Sequence, residues 1–563
     1  MKISEVEQAL KDVEELLRDD SALSSVAEEA IRKLFNLVEA LCGDVQSLNG
    51  EVDRLKKLLE EKKRGKNAPS NSSSRDNSSE QRRPPDPPKE PPKLRDRRSG
   101  KDLEIHETIP CPVDPSILPP DAIRFQDQSI VVQDIIIKPR NIEFRQEVYY
   151  SHKERKLYRG ALPSGYQTSD FGPDLRALIL SLKYSGNMSE PKIGEFLENF
   201  GVEVSSGSLS NILTGTAQDF EDAYRDVLVA GLTSTTYQQT DDTSARVAGK
   251  FWHTHIICNP YYTFYSTRPG KDRVNVLAAL QNTASLHHRF NQKTLKMLGN
   301  EFKICGKWQV KVRELIENNS GSIDLDEEKF NLLLNEWMGK TCAADRLAIC
   351  HASAIVYYRE QTIVPVVQLL VSDDAPQFKF VTEHQALCWI HEARHYEKLT
   401  PVVPSHREAK ENFLKRYWEY YGWLQSYRES PTAARADELR AEFTKLFTIV
   451  TQYDALDYRI KITGAKQKEL LKVLEYPNCP LHNNASELGA RVSARRRDVS
   501  LHSVSKRGAH SMDVFTTLTQ TCKKLFISAY EYFRLHLRKS PTAPNLRKLI
   551  QAAAANTPTP SLC

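Results

Sequence analysis

Five carboxylates stand at positions where they could act together. Asp241 and Asp242 lie in "TDDTSARV", Asp373 and Asp374 follow the apolar run "VPVVQLLVS", and Glu487 lies in "HNNASELGARV". Neighbouring carboxylates repel one another unless a cation neutralises them. Hard divalent ions such as Mg²⁺ bind a few carboxylate oxygens and keep their other positions for water or phosphate. The pattern therefore indicates a metal site for phosphoryl transfer, in which two ions activate the nucleophile and stabilise the leaving oxygen.

The elements that must position these acids can be predicted from the sequence. "STTYQQTDDTSARVAG", "KFWHTHIICNP" and "YYTFYSTRPG" have the β-branched and aromatic composition of three successive strands. The run before Asp373 predicts a buried strand whose C-terminal end carries two acids, the end at which ligands bind in α/β sheets. Glu487 lies on a predicted helix, with Arg491 and Arg495 at four-residue steps on the same face. Without the distant aspartates, an ordinary solvated helix would explain that stretch equally well.

The N-terminal part predicts assembly rather than chemistry. Residues 1–61 predict a leucine-zipper-like coiled coil and self-association, since apolar residues alternate at steps of three and four. Residues 62–101, rich in Ser, Pro and charge, predict a disordered basic linker. Alternation in "SIVVQDIIIKPRNIEFRQEVYY" predicts a small β-rich unit over 102–170. The residues of the coiled-coil seam are Ile31, Leu34, Val38, Leu41, Val45, Leu48, Val52, Leu55 and Leu59.

Residues 171–230 predict a helix-turn-helix. Ser189 is placed to cap a first helix that stops at Gly201, and Ser205 or Ser206 is placed to cap a second. This arrangement is typical of DNA-reading proteins, in which the second helix enters the major groove. A plain helical hairpin explains the pattern equally well. The groove-facing candidates are Ser208, Ser210 and Asn211.

Composition and charge exclude some classes and favour a polyanion as partner. Apolar residues make up 40% and charged residues 27% of the 563 residues, as in a soluble protein of several domains. We expect neither a membrane span nor a secretion signal, since no run of 18 apolar residues occurs and the first residues lack an apolar core. Ten cysteines without a C-x-x-C pair argue for a reducing compartment and against a zinc site. Behind the net charge of +5 lie two basic segments, 62–101 (net +8) and 491–548 (net +10), which predict contact with nucleic acid.

Four motifs, "TDDTSARVAGK", "LLVSDDAPQF", "CWIHEARHYEKL" and "HNNASELGARV", occur in the order found in DDE transposases of the IS66 group, which the chain resembles over most of its length. The resemblance implies an RNase H-like domain over 231–500, with helical insertions at about 271–362 and 395–478, and a basic helical region over 501–563. The expected fold class is thus multidomain: coiled coil, β-rich unit with helix-turn-helix, α/β catalytic domain and basic helical C-terminus.

The implied function is transposition of an insertion sequence. Such an enzyme binds double-stranded DNA at the terminal inverted repeats, cuts each 3′ end and joins it to target DNA. The implied cofactor is a pair of Mg²⁺ or Mn²⁺ ions. The expected location is the bacterial cytoplasm, in association with the nucleoid, and accessory proteins of the same element are further candidate partners.

The resemblance also assigns roles position by position. Asp241, Asp373 and Glu487 become the catalytic, metal-binding acids. The residues implied to support them or to serve in their place are Asp242, Asp374, His391, Arg394, Asn483 and Asn484. The residues implied to bind DNA are Arg491, Arg495, Arg496 and Arg497 together with the helix-turn-helix candidates, although Arg496 and Arg497 could instead be solvated.

Departures from the family pattern motivate the first of two alternative functions, a catalytically inactive DNA-binding protein. His482 replaces the Asp of the family's D-N-N, and only Cys111 remains of a cysteine-rich motif, so we expect no structural zinc. A strand pair of His253 and His255 is a weak zinc candidate, since no further ligands lie nearby in sequence. Trp389 is expected to lie in the core. The alternatives are a catalytically inactive, transposase-derived DNA-binding protein and an RNase H-like nuclease that cuts without joining.

Overall fold

The computed structural model describes residues 3–18, 25–63, 104–114, 117–119, 129–167, 169–339 and 342–556. Within these ranges the protein is a multidomain mixed α/β chain organised around a central sheet, as the sequence predicted at that level. Nearly all of the predicted linker 62–101 lies outside the described residues. Among the described helices, none is both long and apolar enough to cross a bilayer.

Two helices form the N-terminal part, α1 (Ile3–Arg18) and α2 (Ser25–Lys63). The start of the predicted seam packs within the chain, because Val38 and Leu10 contact Val402 and Val403. The Glu39 carboxylate accepts hydrogen bonds from the backbone N–H groups of Val402 (2.9 Å) and Val403 (2.7 Å). From Leu41 onward the described seam side chains are exposed. Self-association through this second half stays a prediction.

The predicted β-rich unit is smaller than expected. It contains one hairpin, β1 (Val148–Ser151) with β2 (Lys156–Arg159). The strand prediction for 129–146 is wrong: among the described residues no strand pairs with this segment, so its backbone lacks a ladder. Its apolar side chains face solvent, with Ile130 77% and Ile136 85% exposed.

A helical layer follows. It consists of α3 (Pro173–Tyr184), α4 (Glu190–Glu198), α5 (Ser206–Gly215) and α6 (Glu221–Thr233). The helix–turn–helix arrangement of α4 and α5 matches the predicted bounds, and Ser205 caps α5 by accepting from the backbone N–H of Ser208 at 3.1 Å. Leu209, Ile212 and Leu213 of α5 belong to the main hydrophobic cluster, which also includes sheet residues. The predicted boundary at 230 therefore crosses a continuous core.

The central sheet begins with three antiparallel strands, β3 (Tyr237–Val247), β4 (Lys250–Asn259) and β5 (Tyr262–Arg268), at the positions that the β-branched and aromatic composition predicted. An insertion with its own hydrophobic cluster follows. It contains α7 (Arg273–Gln281), β6 (His287–Phe290), α8 (Gln292–Asn300), α9 (Gly306–Asn318), β7 (Ile323–Asp326), α10 (Glu327–Met338) and α11 (Ala343–Glu360).

Two parallel strands complete the sheet, β8 (Leu369–Ser372) and β9 (His384–Leu387). The strand order is β5-β4-β3-β8-β9, and β3 pairs with β8 in parallel. The helix α12 (Trp389–Glu397) begins directly after β9. Trp389 is fully buried, which confirms its assignment to the core.

A second helical insertion lies between α12 and the next motif. Its elements are α13 (Pro404–Glu429), α14 (Ala433–Leu446), α15 (Asp454–Gly464) and α16 (Gln467–Leu470). The aromatic face of α13, including Tyr417, Tyr420 and Tyr427, forms the centre of a separate cluster with Trp389.

The C-terminal helices return to the sheet. They are α17 (Asn484–Ser500), α18 (Lys506–Lys524), α19 (Ala529–Leu537) and α20 (Leu546–Ala555). Val514, Phe515 and Leu518 of α18 are fully buried in the main cluster. The region 501–556 is thus helical, as predicted, but it belongs to the same core as the sheet rather than forming a separate unit.

Candidate active site

The two predicted catalytic aspartates are carried by neighbouring parallel strands, Asp241 on β3 and Asp373 directly after the end of β8. The last paired residues of β3 and β8 are Gln239 and Val371. Asp241 and Asp373 each follow two residues after this pair. Because parallel pairing keeps the register, both acids reach the same edge of the sheet and the same face of it.

The surroundings of Asp241 resist a negative charge. Burial raises the pKa of Asp241 to about 7, and the charges of Asp373, Asp242 and Glu487 add to this effect. The backbone N–H of Asp242 donates to Asp241 Oδ1 at 2.8 Å and opposes it. Burial likewise raises the pKa of Asp373. Carboxylates in such a group gain stability when a cation neutralises them.

The third acid reaches the sheet edge because the loop before α17 is fastened to β3. Gln239 Nε2 donates to the backbone carbonyl of His482 at 2.8 Å. Asn483 Nδ2 donates to the carbonyl of Thr240 at 2.7 Å, one residue before Asp241. Glu487 then lies in the first turn of α17, where the positive end of the helix dipole favours a carboxylate.

A glycine allows α17 to lie directly on the sheet. A Cβ atom at Gly489 would stand 2.8 Å from Ile256 Cγ2 on β4, closer than real Cβ contacts come. The carbonyl of Gly489 also accepts a hydrogen bond from the Tyr265 hydroxyl at 3.1 Å. This close approach, two residues after Glu487, sets the distance between the glutamate and the strands.

Two residues of the H-x-x-R motif contact Glu487. Arg394 Nη2 lies 3.4 Å from Glu487 Oε2, and His391 Nδ1 lies 3.6 Å from Glu487 Oε1. The last two atoms are buried without a hydrogen-bond partner. Burial lowers the pKa of His391, so its imidazole is neutral at pH 7 and keeps a nitrogen lone pair available.

The remaining acids are held in other ways. Asp374 is paired with Lys379 (3.0 Å) and Lys466 (2.8 Å). Burial opposes the ionisation of Asp374, but the hydrogen bonds from both lysines hold its pKa below the usual value. Asp242 Oδ2 accepts a hydrogen bond from Gln377 Nε2 at 2.9 Å. These contacts leave Asp373 as the acid that faces Asp241.

The four arginines of α17 have different surroundings. Arg496 is only 7% exposed, and its guanidinium donates to the Tyr184 carbonyl at 2.6 Å and to the Thr516 hydroxyl. Its prediction as a solvated or DNA-binding residue is therefore wrong: it is a core residue that joins α17 to α3 and α18. Arg497 donates to the Thr243 hydroxyl at 2.9 Å. Arg495 is exposed and Arg491 partly so.

The helix-turn-helix candidates lie far from the acids in sequence and on another helix. Asn211 is exposed on α5, whereas Ser208 and Ser210 are partly buried. The Ser208 hydroxyl accepts a hydrogen bond from Ser205 at 2.9 Å. Asn211 is thus the most accessible of the three.

Sequence reasoning missed Cys388. In the part of the chain that the structure describes, the ligand atoms of Cys388, His391 and Glu487 lie within 4.8 Å of one another, and this is the group with metal-binding geometry. Asp241 and Asp373 stand outside it. The Cys-x-x-His spacing of residues 388–391 is the signal in the sequence that indicates it. His255 Nε2 donates to the Gly270 carbonyl at 3.0 Å, and its pairing with His253 on a metal gains no support.

Fold and site together define a mixed α/β protein with acids gathered at the edge of its sheet. No model of a protein family matches the chain. The chain is 30% identical over 338 residues to the uncharacterized protein y4jO of Sinorhizobium fredii, a match that spans 58% of this chain and all of that protein. The chain belongs to the same family as y4jO.

Proposed function

We propose that the chain is a metal-dependent DNA transposase of the DDE type, related to the IS66 group, with an RNase H-like catalytic domain. The observation that carries the proposal is the register of β3 and β8, which aligns Asp241 with Asp373. Three antiparallel strands followed by two parallel ones, in the order β5-β4-β3-β8-β9, also suit an RNase H-like sheet.

The acids fit Mg²⁺ or Mn²⁺. Burial and the charges of Asp373, Asp242 and Glu487 raise the pKa of Asp241, and Glu487 Oε1 is buried without a hydrogen-bond partner, so a cation would offset the repulsion among these acids and find an unused oxygen. Asp241, Asp373 and Glu487 would hold the metal. When bound, it would supply activation of the attacking oxygen and neutralisation of charge on the phosphate.

The protein's own residues position the DNA. Arg394 holds Glu487 from one side, and Arg495 lies two turns beyond Glu487 on α17, exposed to bind a backbone phosphate. The exposed Asn211 on α5 would contact base edges or backbone of the transposon end. Transesterification needs no covalent protein intermediate: water attacks the phosphodiester first, and the freed 3′-hydroxyl of the DNA attacks the target.

The test is a strand-transfer assay with purified protein and Mg²⁺. A DNA fragment containing the sequences that flank the gene on both sides serves as donor, and a supercoiled plasmid serves as target. We expect joined products with the wild type, and none with Asp241→Asn, Asp373→Asn or Glu487→Gln. Asp374→Asn, a neighbouring acid paired with two lysines, is the matched control and should keep activity.

The other outcomes identify the two alternatives. Cleavage that depends on the three acids but yields no joined product would indicate an RNase H-like nuclease. DNA binding in a gel shift, with neither cutting nor joining in Mg²⁺ or Mn²⁺, would indicate a DNA-binding protein without catalysis. Activity that survives all three substitutions would contradict the proposed site itself.

A further inference from the structure

The side chains beside Glu487 differ chemically from the aspartates across the sheet edge. Cys388, His391 and Glu487 offer one sulfur, one nitrogen and one oxygen, all within 4.8 Å of one another among the described residues. Thiolate and imidazole are ligands of zinc and similar transition metals, whereas Mg²⁺ prefers oxygen alone. We propose that these three residues form a binding site for a thiolate-preferring divalent ion such as Zn²⁺.

The distances suit one ion. With Zn–S of about 2.3 Å and Zn–N of about 2.0–2.1 Å, neighbouring ligands of a tetrahedral site lie roughly 3.3–3.6 Å apart. His391 Nδ1 and Glu487 Oε1 are 3.6 Å apart. Cys388 Sγ lies within 4.8 Å of a ligand atom of each of these two residues, so its side chain needs to move closer to share the same ion. Three protein ligands with a fourth position for water is the arrangement of catalytic rather than structural zinc.

The ligand atoms are available. His391 Nδ1 and Glu487 Oε1 are both buried and without a hydrogen-bond partner, a state that is unfavourable for polar atoms. A bound cation would remove this cost for both atoms at once. An ion pair between them would need a charged imidazole, but burial lowers the pKa of His391.

The ligands stand on rigid supports. Cys388 is the N-cap residue of α12, directly after β9, and His391 follows in the first turn of that helix. The backbone N–H of Asn483 donates to Cys388 Sγ at 3.3 Å, a contact that favours the thiolate. Arg394 donates to the other oxygen of Glu487, as outer partners of metal ligands commonly do. Burial raises the pKa of Cys388 to about 11, so metal uptake must displace the thiol proton.

The inference shares Glu487 with the proposed active site but does not depend on strand transfer, because metal uptake is measured on the protein alone. Cobalt(II) is the probe, since a cobalt–thiolate bond produces a charge-transfer absorption band. Metal-free wild-type protein is titrated with Co²⁺ and then with Zn²⁺. Cys388→Ser is compared with Cys479→Ser, which changes another buried cysteine outside the group.

We expect the wild type and Cys479→Ser to show the band at one equivalent of Co²⁺, and Zn²⁺ to remove it. Cys388→Ser should lose the band while keeping its circular dichroism, because serine is a favourable N-cap residue. His391→Gln should keep the thiol but bind at least about tenfold more weakly, as loss of even an outer partner costs that much. A wild type without the band, or a band that persists in Cys388→Ser, would overturn the proposal.

Discussion

The raised pKa of Asp241 predicts that this protein becomes less stable as pH rises, and that removing the acid relieves the effect. In the metal-free protein, burial and three neighbouring acids raise the pKa of Asp241 from 3.8 to about 7. A change of about 3 pH units, at about 1.4 kcal/mol per unit, corresponds to about 4 kcal/mol. This is an upper limit, because the side chain keeps some contact with solvent.

The sign follows from proton binding. Between about pH 4 and pH 7 the unfolded chain has lost the Asp241 proton while the folded chain still holds it, so stability falls with rising pH and levels off above about pH 7. The Asp241→Asn side chain does not titrate, so its contribution to stability does not change with pH. Its stability relative to the wild type should therefore increase across this window by up to about 4 kcal/mol.

The assay compares wild type and Asp241→Asn in EDTA at pH 5 and pH 8, using urea titration read by hydrogen exchange of peptides from β3 and β8. Local readout is needed because a multidomain chain does not unfold in one step. Asp374→Asn is the control of opposite sign: hydrogen bonds from Lys379 and Lys466 outweigh burial and lower the pKa of Asp374. That variant should be less stable than the wild type by the same amount at pH 5 and pH 8, because both lie above the pKa of the Asp374 carboxyl, and the difference should be lost only below about pH 4. An equal Asp241→Asn effect at both pH values would refute the convergence of the three acids.

Three further predictions concern the supports of the site. Glu39→Ala removes the acceptor of two backbone N–H groups and should weaken the docking of the N-terminal helices by about 1–3 kcal/mol. A protease should therefore cut these helices faster than in the wild type. The control variant Glu51→Ala, at an exposed position, should be cut no faster than the wild type. Arg496→Ala should cost more than about 2 kcal/mol, since it leaves buried acceptors unpaired. By contrast, Arg495→Ala should change the free energy of thermal unfolding by no more than about 0.5 kcal/mol yet weaken DNA binding in a gel shift. If Arg495→Ala were the more destabilising of the two variants, the assignment of Arg496 to the core and of Arg495 to the DNA-binding surface would both be contradicted. Gly489→Ala should lower the free energy of unfolding by about 1–3 kcal/mol, because the added methyl group overpacks α17 on the sheet. If the variant were as stable as the wild type, α17 would be free to shift away from the sheet.

The sequence predicts elements well where a local pattern decides them. Residues 237–268 form three strands, as their β-branched and aromatic composition between Asn-Pro and Pro-Gly breaks predicts. Alternation over 129–146 predicts a strand that does not form, since a strand also needs a paired neighbour. Likewise the heptad pattern predicts α2, but it cannot reveal that Val38 packs against Val402, more than 360 positions away. Hydrophobic periodicity and residue propensity are properties of a short segment, whereas strand pairing and helix docking depend on residues far away in the chain.

The arginines of α17 show the same difference between local pattern and distant contacts at the level of single side chains. Arg495 and Arg496 are neighbours of identical type, and a basic run predicts one solvated surface for both. A helix, however, turns about 100° per residue, so Arg495 faces solvent while Arg496 points between α3 and α18. Which of the two is buried depends on where α17 rests on the sheet, and Gly489 determines that contact.

His482 stands where the IS66 group, which the sequence resembles, has an Asp. The sheet uses the backbone of this residue, since its carbonyl accepts the hydrogen bond from Gln239, and any side chain leaves that carbonyl in place. The side chain that does the fastening belongs to Asn483, which reaches the carbonyl of Thr240 beside Asp241. A change at 482 therefore leaves Glu487 in position, whereas Asn483→Ala would free the start of α17 and separate the third acid from the two aspartates. His482 is for this reason weak support for a catalytically inactive protein, and the distinction depends on Asn483 and the three acids themselves.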